Sequence, residues 1–219
     1  MINDNKSPEY EGLHFFGKMN ASISHELRNA LAVINENAGL IKDLLLMSEK
    51  GHPLDLERVS KRVDKVLEQV RRTDSIVDNM NRFAHSIDNE FLKIDAFEYL
   101  KFVVKLSERF ADMKRVILKL ESYEQKVEIA TFPFLFENLL YLCIDRAMES
   151  PGEDGTISIS IEKKGEKVFF RFSGLSTGSK KESTTFPGSD ELFKKLNARI
   201  IDGDVPGSFM LNIPEHLEL

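Results

Sequence analysis

The sequence predicts an α+β protein in two parts: an antiparallel helical hairpin that forms a dimeric four-helix bundle, followed by an α/β sandwich. Three observations predict this class. Two long stretches carry apolar residues at alternating steps of three and four, a glycine and a proline separate them, and the remaining chain alternates short β-patterned and helical segments. The expected boundaries are a flexible lead over residues 1–11, the hairpin over residues 12–89 and the sandwich over residues 90–219.

The first helix is predicted from Leu13 to a stop at Gly51 and Pro53, residues typical of a C-cap and of a helix terminator. Asn20 and Asn37 fall on its apolar track and weaken it. The track contains Leu13, Phe16, Ile23, Leu27, Ala30, Ile34, Ile41 and Leu44, and it is widened by Leu31, Ala38 and Leu45.

The second helix is predicted from about Leu54 and has a cleaner track, which spans more than four heptads. Its members are Leu56, Val59, Val63, Val66, Val70, Thr73, Val77, Met80, Ala84 and Ile87. A single hairpin leaves part of both stripes bare, and pairing two hairpins covers them. We therefore expect a homodimer.

The second part is expected to place helices on one face of a mixed sheet. Strands are predicted over residues 91–94, 116–120, 125–129, 156–161, 168–172 and 207–214, with the second and third on either side of a turn. Helices are predicted over residues 96–112, 134–149 and 190–201, and a loop over residues 174–187.

Bulk composition narrows the class of protein. The net charge of −6 provides no basic field for nucleic acid or for anionic lipid. No apolar run approaches the ~20 residues of a membrane span, and the N-terminus lacks a signal core. The single cysteine, Cys143, lies in an apolar run, which favours core packing in a reducing cytoplasm. No sensor module is expected ahead of His25, so input is expected through a partner or through the second domain.

The stretch around His25 carries the candidate chemistry. His25 lies two residues from Ile23 and from Leu27, which places it on the opposite, solvent-facing side of the first helix. A neutral imidazole offers one ring nitrogen as a nucleophile. Glu26 is adjacent and could hold the proton of the other nitrogen, while Asn29, one turn on, could orient a water or a substrate oxygen. An isolated His-Glu pair, however, is also typical of an ordinary solvated helix face.

Residues 24–34, with the sequence SHELRNALAVI, resemble the H-box of sensor histidine kinases, and the departure is Ala30 in place of a proline. The resemblance implies that His25 accepts a phosphoryl group and that Glu26 is its acid/base partner. It also implies that Asn29 occupies the position that orients water when such proteins dephosphorylate a response regulator. The hairpin then corresponds to the dimerisation and phosphotransfer bundle, and the alanine is expected to remove a kink and leave the chemistry intact.

The element order from Leu92 to Ile213 resembles the catalytic ATP-binding domain of histidine kinases. In that domain's N-box, an asparagine helps to hold Mg²⁺; Asp145 falls at or near it, and an acid could still bind the metal. Ser173 stands where an aspartate should accept a hydrogen bond from adenine. Residues 187–192 replace the glycine-rich lid and place two acids where phosphates would bind.

The resemblance therefore implies that the fold is retained while the nucleotide site is dismantled. We expect no stably bound cofactor, no ATP and no resident metal, with Mg²⁺ supplied by a partner. The lysine pairs at 163–164 and 180–181 are interpreted as solvated loop residues rather than phosphate ligands. The histidines outside the H-box lack its neighbouring acid and amide and are interpreted as incidental; they are His14, His52, His85 and His216.

Three functions fit these features. The first is a histidine phosphotransferase of a two-component phosphorelay, with response-regulator receiver domains as partners. The second is an autophosphorylating kinase core with a divergent ATP site. The third is a non-catalytic dimeric adaptor, and Asn29 adds a receiver phosphatase as a variant. A receiver is expected to dock beside His25 on Ser22, Ala32, Val33 and Glu36, although Ala32 and Val33 also suit packing at the core edge.

Overall fold

The computed structural model describes residues 8–88, 90–176, 186 and 189–217. The helices are α1 (Pro8–Glu49), α2 (Leu56–His85), α3 (Ala96–Lys114), α4 (Pro133–Ala147) and α5 (Asp190–Lys195). The strands are β1 (Leu92–Asp95), β2 (Ile117–Leu120), β3 (Glu128–Thr131), β4 (Thr156–Lys164), β5 (Lys167–Ser173), β6 (Arg199–Asp202) and β7 (Ser208–Pro214). The chain divides into two compact units, a hairpin unit of residues 17–84 and an α/β unit of residues 1–16 with 85–219.

The hairpin turn follows the local sequence. Gly51 adopts a φ of +91°, and its N–H donates to the Ser48 carbonyl while the His52 N–H donates to the Met47 carbonyl. These two bonds satisfy carbonyls at the end of α1, so the predicted glycine C-cap is confirmed. Asp55 then begins α2, because its Oδ1 accepts a hydrogen bond of 3.0 Å from the Arg58 N–H.

The buried stripe follows the predicted track on α1, where Ile23, Ala30 and Asn37 are buried as expected, and differs from it on α2. On α1 the buried positions include Met19, Ser22, Ile23, Ala30 and Asn37, and on α2 they are Gln69, Ile76 and Phe83. Much of the predicted track is instead exposed, including Leu31, Leu45, Leu56, Val63 and Val70. Helix α2 carries more apolar positions than one buried stripe uses, so periodicity alone did not show which of its positions point inward.

Asn37 is buried without loss of its hydrogen bonds. Its Nδ2 donates to the Val33 carbonyl at 2.8 Å, and its Oδ1 accepts from Arg62 Nη1 at 3.3 Å. The second bond joins α1 to α2. A buried amide that is satisfied in this way favours one pairing register of the two helices, because a shifted register would leave it without partners.

The α/β unit contains a mixed sheet in the order β2-β4-β5-β7-β6, in which β2 and β4 are parallel and the other neighbours antiparallel. Strands β1 and β3 form a separate antiparallel pair. The expected mixed sheet is therefore present, but the second and third predicted strands do not pair with each other. Both segments had strand character, and the sequence could not show that the chain sends them to different sheets.

Helices α3 and α4 pack on each other and on the five-stranded sheet. Burial in β4 alternates along the strand, so the period-two prediction for residues 156–161 is confirmed. The Phe136 ring of α4 meets the Phe170 ring of β5 at a centroid distance of 5.7 Å, and Phe172 stacks on Phe209 at 4.9 Å. These fully buried aromatics form the centre of the core.

The last helix is shorter than predicted. α5 ends at Lys195, and the chain passes through Asn197 at a φ of 45° into β6, which pairs with β7. The prediction of a helix to Ile201 was therefore wrong. Two adjacent isoleucines, Ile200 and Ile201, suit a pleated strand beside β7 better than a helix.

The first turns of α1 belong to the α/β unit. The helix begins at Pro8, so residues 8–11 are helical rather than part of a flexible lead, and a proline fits the first helical turn because no N–H is needed there. The Phe15 ring packs on Phe134 and on Tyr141, with centroid distances of 5.6 and 5.3 Å. The compact units divide at residues 16/17 and 84/85, which differs from the expected boundaries at 11/12 and 89/90.

Candidate functional site

His25 lies on the surface of α1. Its neighbours Ile23 and Ala30 are buried, and its own side chain is exposed. Among the residues that the structure describes, none forms a hydrogen bond or an ion pair with the imidazole. Both ring nitrogens are thus open to a reagent or a partner in the arrangement of the single chain. The helix is also unbroken through Ala30, as expected for a chain that lacks the proline.

Glu26 and Asn29 lie at different angles around α1. Successive residues of an α-helix are about 100° apart, so the half-buried Glu26 does not share the face of His25. No hydrogen bond joins the two side chains in the described part of the structure. Asn29 is exposed and lies one turn further on, with a rise of about 6 Å, on the same face as His25. The geometry brings together the histidine and the amide, and it leaves the acid to one side.

One of the four predicted docking residues is buried. Ser22 is only 2% exposed, since it lies on the inward stripe with Met19 and Ile23, so the expectation that it contacts a partner was wrong for this structure. Ala32 and Glu36 are exposed and Val33 is half-buried, and all three remain candidate docking residues.

Asp145 is held within the α/β unit. Lys114 Nζ, at the end of α3, donates to Asp145 Oδ1 at 2.7 Å and to the Asp145 carbonyl at 3.3 Å. The Tyr141 hydroxyl is raised in pKa by burial first and by the nearby Asp145 carboxylate second, which keeps the phenol neutral. The carboxylate that could have bound Mg²⁺ therefore has a cationic partner from a neighbouring helix.

Ser173 and Gly174 serve the sheet. The Ser173 hydroxyl donates to the Ser158 carbonyl of β4 at 3.4 Å, so it acts within the strand pair. Gly174 has a φ of +88°, and a Cβ there would lie 2.1 Å from the Thr156 carbonyl oxygen. Only glycine fits this close crossing, which gives the residue a structural reason that does not involve phosphates.

The start of α5 carries negative charge. Asp190 and Glu191 are exposed in its first turn, whereas Ser189 is buried and its Oγ donates to Glu11 Oε1 at 3.5 Å. Residues 187–188 and the lysines at 180–181 lie outside the described residues. The two acids complement the dipole at the start of α5, and the interpretation of a degenerate lid stays a prediction.

The lysine pair at 163–164 has local partners. Lys163 Nζ lies 2.8 Å from Glu215 Oε1, and Lys164 Nζ lies 2.8 Å from Glu162 Oε2. These lysines form ion pairs at the end of the β4–β5 hairpin, and in the described part of the chain neither contacts Asp145 or Ser173.

The remaining candidate groups have ordinary surroundings. Cys143 is fully buried and burial raises the pKa of its thiol, so the prediction of core packing is confirmed. His85 Nδ1 pairs with Asp88 Oδ2 at 2.6 Å, and His14, His52 and His216 are exposed. Within the described ranges, no cluster of three potential metal ligands occurs, and no helix there has the length and apolarity to cross a bilayer.

Sequence reasoning missed Lys114. It lies 31 residues from Asp145, in a helix whose last turn showed no sign of a distant partner. A lysine at the C-terminal end of a helix is ordinarily explained by the helix dipole, so only the packing of α3 on α4 identified its role.

Comparison with known proteins supports the H-box resemblance. Residues 17–88 match the His Kinase A (phospho-acceptor) domain family. The Sensor protein CreC of Escherichia coli (strain K12) is 25% identical over 170 residues, which cover 77% of this chain and 34% of CreC. The chain thus spans about a third of the length of this curated relative.

Solved structures with a similar fold include several histidine kinases. The catalytic domain of histidine kinase ThkA aligns with a TM-score of 0.48 and 18% identity over 59% of this chain and 100% of that chain. ThkA in complex with response regulator protein TrrA gives 0.45 and 21% over 93% and 63%. Acinetobacter baumannii histidine kinase AdeS gives 0.42 and 17% over 87% and 98%.

His25, Glu26 and Asn29 all lie inside the matched range, so the resemblance inferred from residues 24–34 is confirmed. The α/β unit supplies the helix-on-sheet architecture that follows the hairpin. Residues 17–88 of this chain therefore match the His Kinase A (phospho-acceptor) domain family, and in the chain this hairpin precedes an α/β domain.

Proposed function

We propose that this chain is a histidine phosphotransferase of a two-component phosphorelay. His25 takes the phosphoryl group from the aspartyl phosphate of one response-regulator receiver domain and passes it to the aspartate of another. A single contrast carries the proposal. The phosphoacceptor histidine is exposed and unengaged, whereas Asp145 is engaged by Lys114 and Ser173 by the Ser158 carbonyl.

The chemistry is a reversible displacement at phosphorus. An imidazole nitrogen of His25 forms the N–P bond as the P–O bond of the aspartyl phosphate breaks, and the aspartate leaves as a carboxylate. Transfer to the second receiver reverses these steps. Mg²⁺ held by the receiver neutralises the phosphoryl oxygens in both directions.

Glu26 and Asn29 have assisting roles in this proposal. Glu26 accepts a hydrogen bond from the second ring nitrogen and so stabilises the imidazolium, which requires the two side chains to rotate toward each other once a receiver is docked. Asn29, on the His25 face, orients a phosphoryl oxygen or a water without repelling phosphate. If the amide directs water onto a receiver's aspartyl phosphate, the same site acts as a receiver phosphatase.

The receiver docks along the His25 face of α1. Asn29, Ala32, Val33 and Glu36 continue that face or its edge, and three of them are exposed. The solved complex of ThkA with the response regulator protein TrrA is consistent with a response-regulator partner for a protein of similar fold.

Dimerisation follows from the apolar surface of the hairpin. A second stripe on α2 remains exposed, formed by Leu56, Val63, Leu67 and Val70, together with Leu31 and Leu45 on α1. Monomeric proteins rarely expose such a contiguous apolar surface, and pairing two hairpins into a four-helix bundle buries it. The buried thiol of Cys143 is compatible with the reducing cytoplasm, where we place the relay.

Phosphotransfer from a receiver tests the proposal. The full chain is incubated with receivers carrying labelled aspartyl phosphate and Mg²⁺, in the absence of ATP. Label is expected on wild type and on the control His52→Ala, and no label on His25→Ala. If the His25→Ala variant instead binds receivers as tightly as the wild-type chain, and cells that carry it respond as wild-type cells do, the chain is a non-catalytic adaptor.

The second candidate is an autophosphorylating kinase with a divergent ATP site. The similarity to Sensor protein CreC favours it, since the α/β domain retains the architecture of a catalytic domain. Equilibrium binding of Mg-ATP separates the two functions. Micromolar affinity with γ-phosphate appearing on His25 supports the kinase, and no measurable binding supports the phosphotransferase.

A further inference from the structure

An apolar cavity of about 220 Å³ lies within the α/β unit, formed by the first turns of α1, the start of α4 and α5. The apolar lining comes from Leu13, Phe16, Ile87, Phe134, Leu135 and Leu192. Lys195 is the one charged side chain in the lining. No step of the proposed phosphotransfer uses any of these residues.

Gly12 sets the position of one wall. A Cβ at residue 12 would lie 3.2 Å from Cε1 of Phe134, which is tighter than an ordinary contact. Glycine therefore lets the Phe134 ring approach α1, and Phe15 packs on the other part of that ring at 5.6 Å. Packing between the Phe134 and Phe15 rings fixes this wall, so the cavity is a feature of the folded α/β unit.

The mouth of the cavity exposes apolar surface to water. Leu13 is 70% exposed and Ile87 is 49% exposed. Large apolar side chains that line a concave site and remain exposed at its rim are typical of a ligand site. The ligand that suits this lining is an alkyl chain that extends along Leu13 and Ile87.

The polar end of the cavity is cationic. Lys195 Nζ lies 5.1 Å from the centroid of the Phe132 ring, and no carboxylate in the described part of the chain pairs with it. Glu11, which precedes Gly12, accepts a hydrogen bond from Ser189 and does not line the cavity. The first turn of α4 has no side-chain cap, and its Phe134 and Leu135 line the same space. Lys195 therefore offers one positive charge at this rim, one turn along α5 from the exposed Glu191, and the charge that complements Lys195 is negative.

We propose that this cavity binds a free medium-chain fatty acid, with its alkyl chain among the apolar residues and its carboxylate paired with Lys195. An apolar cavity of about 150 Å³ binds the six carbons of benzene, so a cavity of about 220 Å³ accommodates on the order of eight carbons. The size fits an acid of about eight carbons. This inference does not depend on the proposed phosphotransferase function.

Calorimetric titration of the full chain with acids of increasing length is the first test. Because each buried methylene contributes about 0.8 kcal/mol, affinity is expected to rise about fourfold per methylene from pentanoate to octanoate and then to level off. Binding that does not saturate, or affinity that keeps rising beyond dodecanoate, indicates a detergent-like effect and overturns the proposal.

Substitutions then locate the ligand. Lys195→Met is expected to weaken octanoate about fivefold and to leave 1-octanol unchanged, while Lys194→Met, beside it on α5, leaves both unchanged. Leu135→Trp fills the cavity and is expected to abolish both ligands. Gly12→Ala, which presses on Phe134 without adding bulk elsewhere, is expected to weaken both and serves if the tryptophan variant does not fold.

Two results contradict the assignment. Equal loss of octanoate binding in Lys194→Met and Lys195→Met shows a diffuse electrostatic effect rather than a site. Binding to anionic phospholipid vesicles with no saturable binding of free acids shows that the apolar rim meets a membrane surface instead.

Discussion

Breaking the ion pair between Lys114 and Asp145 is the perturbation that best probes the proposed loss of the nucleotide site. The two groups are joined by a 2.7 Å bond, and their side chains are 35% and 23% exposed. Lys114→Met keeps the apolar stem and removes the ammonium, which leaves the Asp145 carboxylate half-buried without a counter-charge. Asp145→Asn removes the charge on the other side, and the double variant completes a thermodynamic cycle.

The expected magnitude follows from distance and exposure. At an effective dielectric constant near 20, two unit charges 2.7 Å apart attract by about 6 kcal/mol. Desolvation of the pair and ordering of the lysine offset most of this, and solvent screens a pair that is about a third exposed. We therefore expect a coupling energy of about 1 kcal/mol, and a loss of about 1–2 kcal/mol of unfolding free energy for Lys114→Met alone.

Tyrosine fluorescence during urea unfolding gives the assay. The chain has four tyrosines and no tryptophan, and all four tyrosines lie in the α/β unit: Tyr10, Tyr99, Tyr123 and Tyr141. The signal therefore reports the unit that contains the ion pair. A coupling energy below about 0.3 kcal/mol would contradict this expectation, because the Lys114 ammonium would then not stabilise the Asp145 carboxylate.

Three further predictions test other parts of the structure. Hydrogen bonds from Lys93 and Lys126 lower the pKa of Glu128 to about 2. The Glu128 carboxylate therefore stabilises the fold above its ordinary pKa near 4.5 and loses that effect as the pH falls toward 2. Glu128→Gln is expected to flatten the dependence of unfolding free energy on pH in that window, measured by fluorescence. The Oγ1 of Thr73 is buried without a hydrogen-bond partner among the described residues, so Thr73→Val is expected to stabilise the hairpin by about 1 kcal/mol, measured by circular dichroism in urea. Leu67→Glu places a charge on the exposed stripe of α2 and is expected to weaken the dimer at least tenfold, measured by sedimentation. An unaffected dimer contradicts the proposal that this stripe forms the dimer interface.

The fold was largely predictable because its signals are local. Glycine and aspartate at the hairpin turn specified the cap at Gly51 and the start of α2, and alternation specified β4. The pairing partner of each strand was not predictable. The sequences of β2 and β3 both have strand character, but the two strands belong to different sheets. The inward face of α2 was also not predictable, because its apolar track stays largely exposed and the buried positions include the polar Gln69.

The site was predictable where chemistry sits within one helix turn. His25 and Asn29 share a face of α1 because of their spacing alone. Lys114 and its bond to Asp145 depend on the packing of α3 against α4, which no local pattern reports. The role of Gly174 likewise depends on the crossing of the Thr156 carbonyl.

Transfer of label from a phosphorylated receiver to His25 in the absence of ATP tests the central claim most directly. Acid-labile label is expected on the wild-type chain within the time that the receiver retains its phosphate, and no label is expected on His25→Ala. Label that reaches His25 only from γ-labelled Mg-ATP, and never from a receiver, would contradict it.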